Sequence, residues 1–255
     1  MIVREQLEKL VMQAGLARRM AAMLGSGVTL GRSLEVVAGE AGQSPLAEVL
    51  GDVHASVMGG ETLSEAVRDH GDWFDAVARA LIRAGEVGGV LDVTMHRWAE
   101  LLARQIEQFE RLQQYELLMQ VAKARPAFVE SGGETAVRQT MAANQPRIAA
   151  SLFLDAFGVM LGSGVPLRMA LTTAADMLPR PHSDQVKQIA QELGETGEEA
   201  DLAGELSAVP GLSGTVQELI RVGEMTGTLD ETCADAADLL RAEAESEIRA
   251  AMMAW

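Results

Sequence analysis

The chain has 255 residues, of which 48% are hydrophobic and 23% charged, and that balance excludes wholesale disorder. Twenty-one basic and 37 acidic residues leave a net charge of −16, which repels phosphate backbones and excludes a broad nucleic-acid footprint. Aromatic residues make up 4% and Cys233 is the single cysteine, so base-stacking platforms, intrachain disulfides and multi-thiolate metal sites are excluded as well.

The N-terminal stretch MIVREQLEKL carries charges every few residues and has no apolar signal core. Leu16, Met20, Met23 and Leu24 then fall on one helical stripe. Gly25-Ser26-Gly27 ends that helix, because glycine accepts the left-handed cap conformation. Thr29 is placed to cap a second helix with the apolar face Leu30, Leu34 and Val37. After the segment LIRAGEVGGVLD at 81–92, Leu91, Met95, Trp98, Leu102, Ile106, Phe109 and Leu112 advance by three or four. That is a long helix, about 50 Å if it runs from Leu91 to Ala124 at 1.5 Å per residue. Its extension through Tyr115, Leu117, Leu118 and Val121 carries more apolar groups than one short bundle needs.

Breakers follow at Arg125-Pro126, Ser131-Gly132-Gly133 and Asn144-Gln145-Pro146. They predict a domain at 1–125, a linker at 126–150 and a second domain at 151–255. Past the linker the pattern starts again. Phe153, Phe157, Val159, Met160 and Leu161 lead to a Gly162-Ser163-Gly164 turn, and Pro166 sits where a helix start tolerates a missing amide. LIRVGEMTGTLD occupies 219–230, and Leu229, Cys233, Ala236 and Leu240 begin another long helix. Cys233 matches Met95 on its inner face, as a small buried residue.

The correspondence is a duplication. LGSGV stands at 24–28 and again at 161–165, an offset of 137, and the LIR…GxLD segments share an offset of 138. Two ordered matches at nearly one offset predict two similar domains; solenoid periods are shorter. The halves differ in charge: residues 1–127 carry 13 basic and 17 acidic groups, residues 128–255 carry 8 and 20. No strand-like alternation of useful length appears, so the expected fold is all-α, two tandem duplicated antiparallel bundles of about six helices each. The longest uncharged windows, Met20–Gly31, Ala156–Leu167 and Leu206–Gln217, hold 12 residues each, short of the roughly 20 that a membrane span requires.

Few residues carry the marks of chemistry. Glu86 and Glu224 follow a short apolar helix in each copy, where a carboxylate can accept hydrogen bonds from the free amides at the start of the long helix. Contact with a partner is the second reading; a catalytic diacid requires an interface that brings both together. LGSGV lacks the lysine of a P-loop and the strand context of a dinucleotide loop. His54, His70, His96 and His182 form no metal-ligand spacing, although Asp69, Asp72 and Asp75 near His70 allow a surface divalent site. The acidic run Glu192 to Glu205 reads as a solvated face, a docking surface for a basic partner or a weak cation site. No catalytic, cofactor-binding or metal-ligating residue is assigned.

The repeated segments resemble the duplicated domain of the type II secretion system F and type IV pilus inner-membrane platform proteins. The likeness rests on Gly25-Ser26-Gly27-Val28-Thr29-Leu30 and Gly162-Ser163-Gly164-Val165-Pro166-Leu167. It rests also on Gly85-Glu86-Val87-Gly88-Gly89-Val90-Leu91 and Gly223-Glu224-Met225-Thr226-Gly227-Thr228-Leu229. A middle signature, Gly60 to Val67 followed by Trp73-Phe74, has a degraded counterpart in GELSAVPGL at 204–212. The match covers roughly 16–112 and 151–245. It implies six-helix bundles on the cytoplasmic side of an inner membrane and a non-enzymatic scaffold without cofactor. It also implies partners among the secretion or pilus ATPase, platform subunits and further copies of the chain. Members of the family have spans between the copies and after the second; this sequence has none, so the resemblance here implies a chain without integral membrane insertion, cytoplasmic or peripheral at the membrane. Most simply it is a homodimer that supports secretion or pilus assembly; the alternative is a regulatory or adaptor protein outside such a machine.

Overall fold

The computed structural model describes residues 2–124, 132–193, 201–212 and 214–254, and among these described residues two sets of six α-helices follow one another. In the first copy these are α1 (Ile2–Gly25), α2 (Leu30–Ala41), α3 (Pro45–Met58), α4 (Leu63–Ala66), α5 (Ala76–Gly88) and α6 (Leu91–Ala122). In the second they are α7 (Gly133–Gly162), α8 (Leu167–Ala174), α9 (His182–Glu192), α10 (Leu202–Glu205), α11 (Gly214–Thr226) and α12 (Leu229–Met253). Three-residue 3₁₀ turns follow α8 and α10, and no strand occurs among the described residues.

Local chemistry sets the helix starts. The Thr29 hydroxyl accepts from the Arg32 amide at 3.4 Å, as expected, and Pro45 opens α3 where its missing amide costs nothing. Thr62 and Glu65 form a reciprocal capping box on α4, and Asp75 accepts from the Ala78 amide at 2.8 Å to start α5. The ends are set by glycine. Gly27 and Gly164 hold φ of +83° and +80° at equivalent corners, a conformation in which a Cβ is strained.

The chain divides into two compact units, residues 1–108 with 163–165, and residues 109–162 with 166–255. In the first, Met20, Leu34, Leu50, Leu63, Leu81, Ile82, Met95 and Trp98 are buried, and the Phe74 ring lies 5.8 Å from that of Trp98. The α6 stripe thus faces the core at its start, as its spacing predicts. In the second, α7 runs along α12. Phe153 and Phe157 are fully buried and stacked, centroid to centroid at 5.9 Å, with Cys233, Ala236 and Leu240 also buried. Gly158 makes that approach possible, since a Cβ there would meet the Asp230 carbonyl oxygen at 2.9 Å.

Part of the expected linker is helical. Of the linker expected at 126–150, residues 126–131 lie outside the described residues, and from Gly133 onward the chain is helix α7, with Pro146 inside it. Asn144 is the reason this stretch is ordered in spite of its breakers. Its buried amide donates to the Thr140 carbonyl and to Glu247, both at 3.0 Å, and Arg147 adds an ion pair to Glu247 at 2.6 Å. Of the 1–125 expected for the first domain, residues 1–108 pack together in the first unit. Residues from 109 on belong to the second unit, where Met119 is buried against Val137 beside Ala122, Met141, Ala251 and Met252. Helical spacing reveals a stripe but not which core it fills.

Candidate functional site

The motif glutamates occupy equivalent positions and do equivalent work. Both oxygens of Glu86 accept backbone amides, Leu63 at 2.5 Å and Ser64 at 3.1 Å. Glu224 accepts from Leu202 at 2.7 Å and Ala203 at 3.1 Å. The helix served is the short α4 or α10, about 22 residues earlier in the chain, and not the start of the long helix as the sequence suggests. Just before the long helix the corner closes on its own backbone: Val90 donates its amide to the Gly85 carbonyl at 2.9 Å, as Thr228 does to Gly223.

A four-residue helix cannot hold itself together, because its first amides have no partners within it. Thr62 and Asp201 each take one, from Glu65 at 3.2 Å and Gly204 at 2.8 Å. The distant glutamate takes the two before it. It therefore ties α4 to α5, and α10 to α11, with a charge at the positive end of the short helix.

The glycine before each glutamate sets the depth of the corner. A Cβ on Gly85 would lie 2.1 Å from Thr94 Oγ1 and 2.9 Å from Leu91 Cα; on Gly223 it would lie 2.0 Å from Thr232 Oγ1 and 3.1 Å from Leu229 Cα. Thr94 and Thr232 are related by the 138-residue offset and were missed by the motif reading, which stopped one turn short. Their hydroxyls donate back to helix carbonyls, Leu91 at 3.2 Å and Thr228 at 3.2 Å. Gly89 and Gly227 close the turn with φ of +67° and +74°.

The other candidates are dispersed. Cys233 is buried, and burial, with smaller contributions from Asp230 and Glu224, pushes its thiol up to about 12. His96 lies 3.4 Å from Glu100 on the exposed side of α6, and the His182 ring is 3.0 Å from Gln185. Among the described residues no three His, Cys, Asp or Glu side chains gather as metal ligands, around His70 included. The acidic run falls partly outside the described residues, and of its members Asp201 is a helix cap. In the second unit a cleft of about 520 Å³ is lined by Pro146, Met177, Leu178, Pro179 and Val209, with Arg180 and His182 among its lining residues.

A twice-built helical domain, fastened in each copy by one glutamate, one glycine and one threonine, defines a tandem helical protein whose recurring chemistry is structural. The family described as type II secretion system (T2SS), protein F, matches residues 16–117 and 153–254, and the chain belongs to that family. The chain is 35% identical over 91 residues to the type IV pilus assembly protein PilC of Thermus thermophilus, covering 36% of this chain and 22% of that protein. It is 24% identical over 298 residues to PilC of Myxococcus xanthus, covering 91% of this chain and 71% of the relative. It is 31% identical over 99 residues to the type II secretion system protein F of Vibrio cholerae, covering 39% and 24%. Apart from the M. xanthus protein, the chain thus spans under a third of the length of these relatives. The M. xanthus alignment is longer than this 255-residue chain, so that relative holds segments inside the aligned region without counterparts here. Among the described residues no helix is long and apolar enough to cross a membrane.

Proposed function

We propose that the chain is a non-enzymatic helical scaffold of a type IV pilus or type II secretion platform, working by protein contact at the cytoplasmic face of the inner membrane. The observation that carries this reading is the family domain present twice, each copy with its full set of fastening residues. The partners by family are the secretion or pilus ATPase and other platform subunits. A second copy is a further partner. Leu117, Leu118 and Val121 are 67%, 47% and 67% exposed on the end of α6, and Gln114 and Gln120 beside them carry no charge. With a net charge of −16, self-association is least opposed at such a face.

A second reading, an adaptor that uses these domains outside any platform, is favoured by one observation: internal segments of the M. xanthus relative have no counterpart here. Cross-linking in the native cell followed by mass spectrometry decides between them. Adducts with pilus or secretion components support the platform; adducts confined to other proteins support the adaptor. Sedimentation of the wild type and Leu118→Glu tests the dimer. A wild-type monomer at every accessible concentration refutes it.

A further inference from the structure

We infer that the corner between α11 and α12 is a docking knob for a partner protein that presents an apolar socket rimmed by lysine or arginine, a contact beyond the self-association proposed above. The starting observation is a repeated anomaly. The residue after the motif glutamate is Val87 in one copy and Met225 in the other, and these side chains are 84% and 81% exposed. The two copies have diverged over most of their length, yet both place an apolar side chain in water at the same point of a rigid corner. Nothing in the corner's own packing needs it there: Glu86 and Glu224 face the short helix, and Gly85 and Gly223 face the threonine. Val222, 49% exposed and three residues before Met225, extends the apolar surface along the same face of α11.

Charge names the partner, because the two knobs differ in it. At the first corner Val90 and Val93 are also exposed, and the Glu65 carboxyl is held below its usual range first by its hydrogen bonds to Thr62 and, to a smaller extent, by the charges of Arg68 and Arg83. At the second corner the position of Val93 is Glu231 and that of Arg68 is Ser207. Arg221, the counterpart of Arg83, is spent on Glu218 at 2.7 Å. Glu224 carries α10 to the corner, and with it the exposed Glu205. Among the described residues neither Glu205, Asp230 nor Glu231 has a cationic partner. An apolar knob with an acidic surround selects an apolar socket with a basic rim, and it repels a second copy of this acidic chain at the same place.

The test uses the full chain with its methionine methyl groups labelled for NMR. The probe is a synthetic 18-residue amphipathic helix of leucine and lysine, and its leucine–glutamate counterpart is the control. The expected result is a saturable shift largest at Met225 with the lysine peptide and none with the glutamate peptide. Affinity should fall at least about tenfold in Met225→Ser and in the pair Glu205→Gln/Glu231→Gln, as at the centre of a contact. It should change by less than about twofold in Val87→Ser and in Glu48→Gln/Asp52→Asn, which removes the same charge from exposed positions on α3. Equal weakening by the two charge pairs, or undiminished binding in Met225→Ser, overturns the proposal in favour of diffuse attraction to an acidic protein. A Met225 shift that grows with protein concentration in the absence of peptide assigns the surface to a second copy and overturns it too.

Discussion

Gly85 and Thr94 lie so close that a methyl group on the glycine would sit 2.1 Å from the threonine hydroxyl oxygen, and Gly223 and Thr232 repeat the relationship at 2.0 Å. Inside a helix, Gly→Ala ordinarily stabilises by about 0.5–1 kcal/mol through the entropy of the unfolded chain. Here overpacking of about 1–3 kcal/mol opposes that gain. Gly85→Ala and Gly223→Ala are therefore expected to lower stability. Thr94→Ala should restore only part of the loss in Gly85→Ala, because Leu91 Cα, at 2.9 Å, is backbone and cannot be trimmed. Denaturant titrations of the single and double variants measure this. A stabilised Gly85→Ala would show that the corner opens freely.

Glu86→Gln and Glu224→Gln test the tie to the short helix. Glutamine keeps the shape but offers one acceptor oxygen, and its NH₂ then faces the second amide of α4 or α10. The expected cost is about 1–3 kcal/mol for each. The glutamates lie in different units, so a double variant should show nearly the sum. Thermal melts are the readout. Unchanged melting with altered partner binding would make these residues contact groups.

The all-helical fold and the inward faces of α6 and α12 were legible because a helix stripe depends on residues three or four apart, and the duplicated corners because LGSGV and the LIR…GxLD segment each occur twice. The identity of the motif glutamates as important was legible too. Their target was not. Leu63 and Glu86 are 23 positions apart, and nothing in local spacing says which free amides a carboxylate will reach. That part of the expected linker is helix was hidden for a similar reason. Gly133, Asn144 and Pro146 read as breakers, whereas Asn144 fastens that stretch to Glu247, 103 positions on.

Glu247 makes part of that fastening depend on pH. Its carboxyl is held below the usual 4.5, first by the Asn144 amide and then by the Arg147 guanidinium. A group depressed in the folded state contributes stability above its unfolded value, and that contribution is lost as pH falls through the folded one. The wild type should therefore melt higher than Glu247→Gln at pH 7, and the gap should close from about pH 4.5 downward. A gap independent of pH between 7 and 3 would assign the effect to packing. The group is exposed, so the difference should be small and should shrink in salt.

Cys233 should be inert in the folded chain. With its thiol pushed up to about 12, roughly one molecule in 10⁴ is thiolate at pH 8, and the side chain is fully buried. A disulfide reagent is expected to label it only as fast as the second unit opens, and at once in denaturant. Rapid labelling of native protein would mean that α7 and α12 separate readily.

Asp155 and Arg241 bridge those same two helices as a buried ion pair, the aspartate side chain at 0% exposure and the arginine at 15%. Burial disfavours the arginine charge, but Asp155 first and Asp238 second more than offset it, and the guanidinium ends above its usual range. No local signal announces the pair: its members are 86 positions apart, and their counterparts at offsets of 137 and 138 are Arg18 and Ala103. Arg241→Met leaves a carboxylate in the core without its arginine, and losses of about 3–5 kcal/mol are typical of that change. Asp155→Asn should cost less, since the amide still accepts from Arg241 and the arginine keeps Asp238. Replacing both partners with apolar residues, Asp155→Leu with Arg241→Met, should recover most of the stability lost by Arg241→Met alone, because desolvation of the charges then disappears with the attraction. Urea titration of the three variants gives the coupling. A double variant no more stable than Arg241→Met would show that the pair also selects how α7 seats against α12.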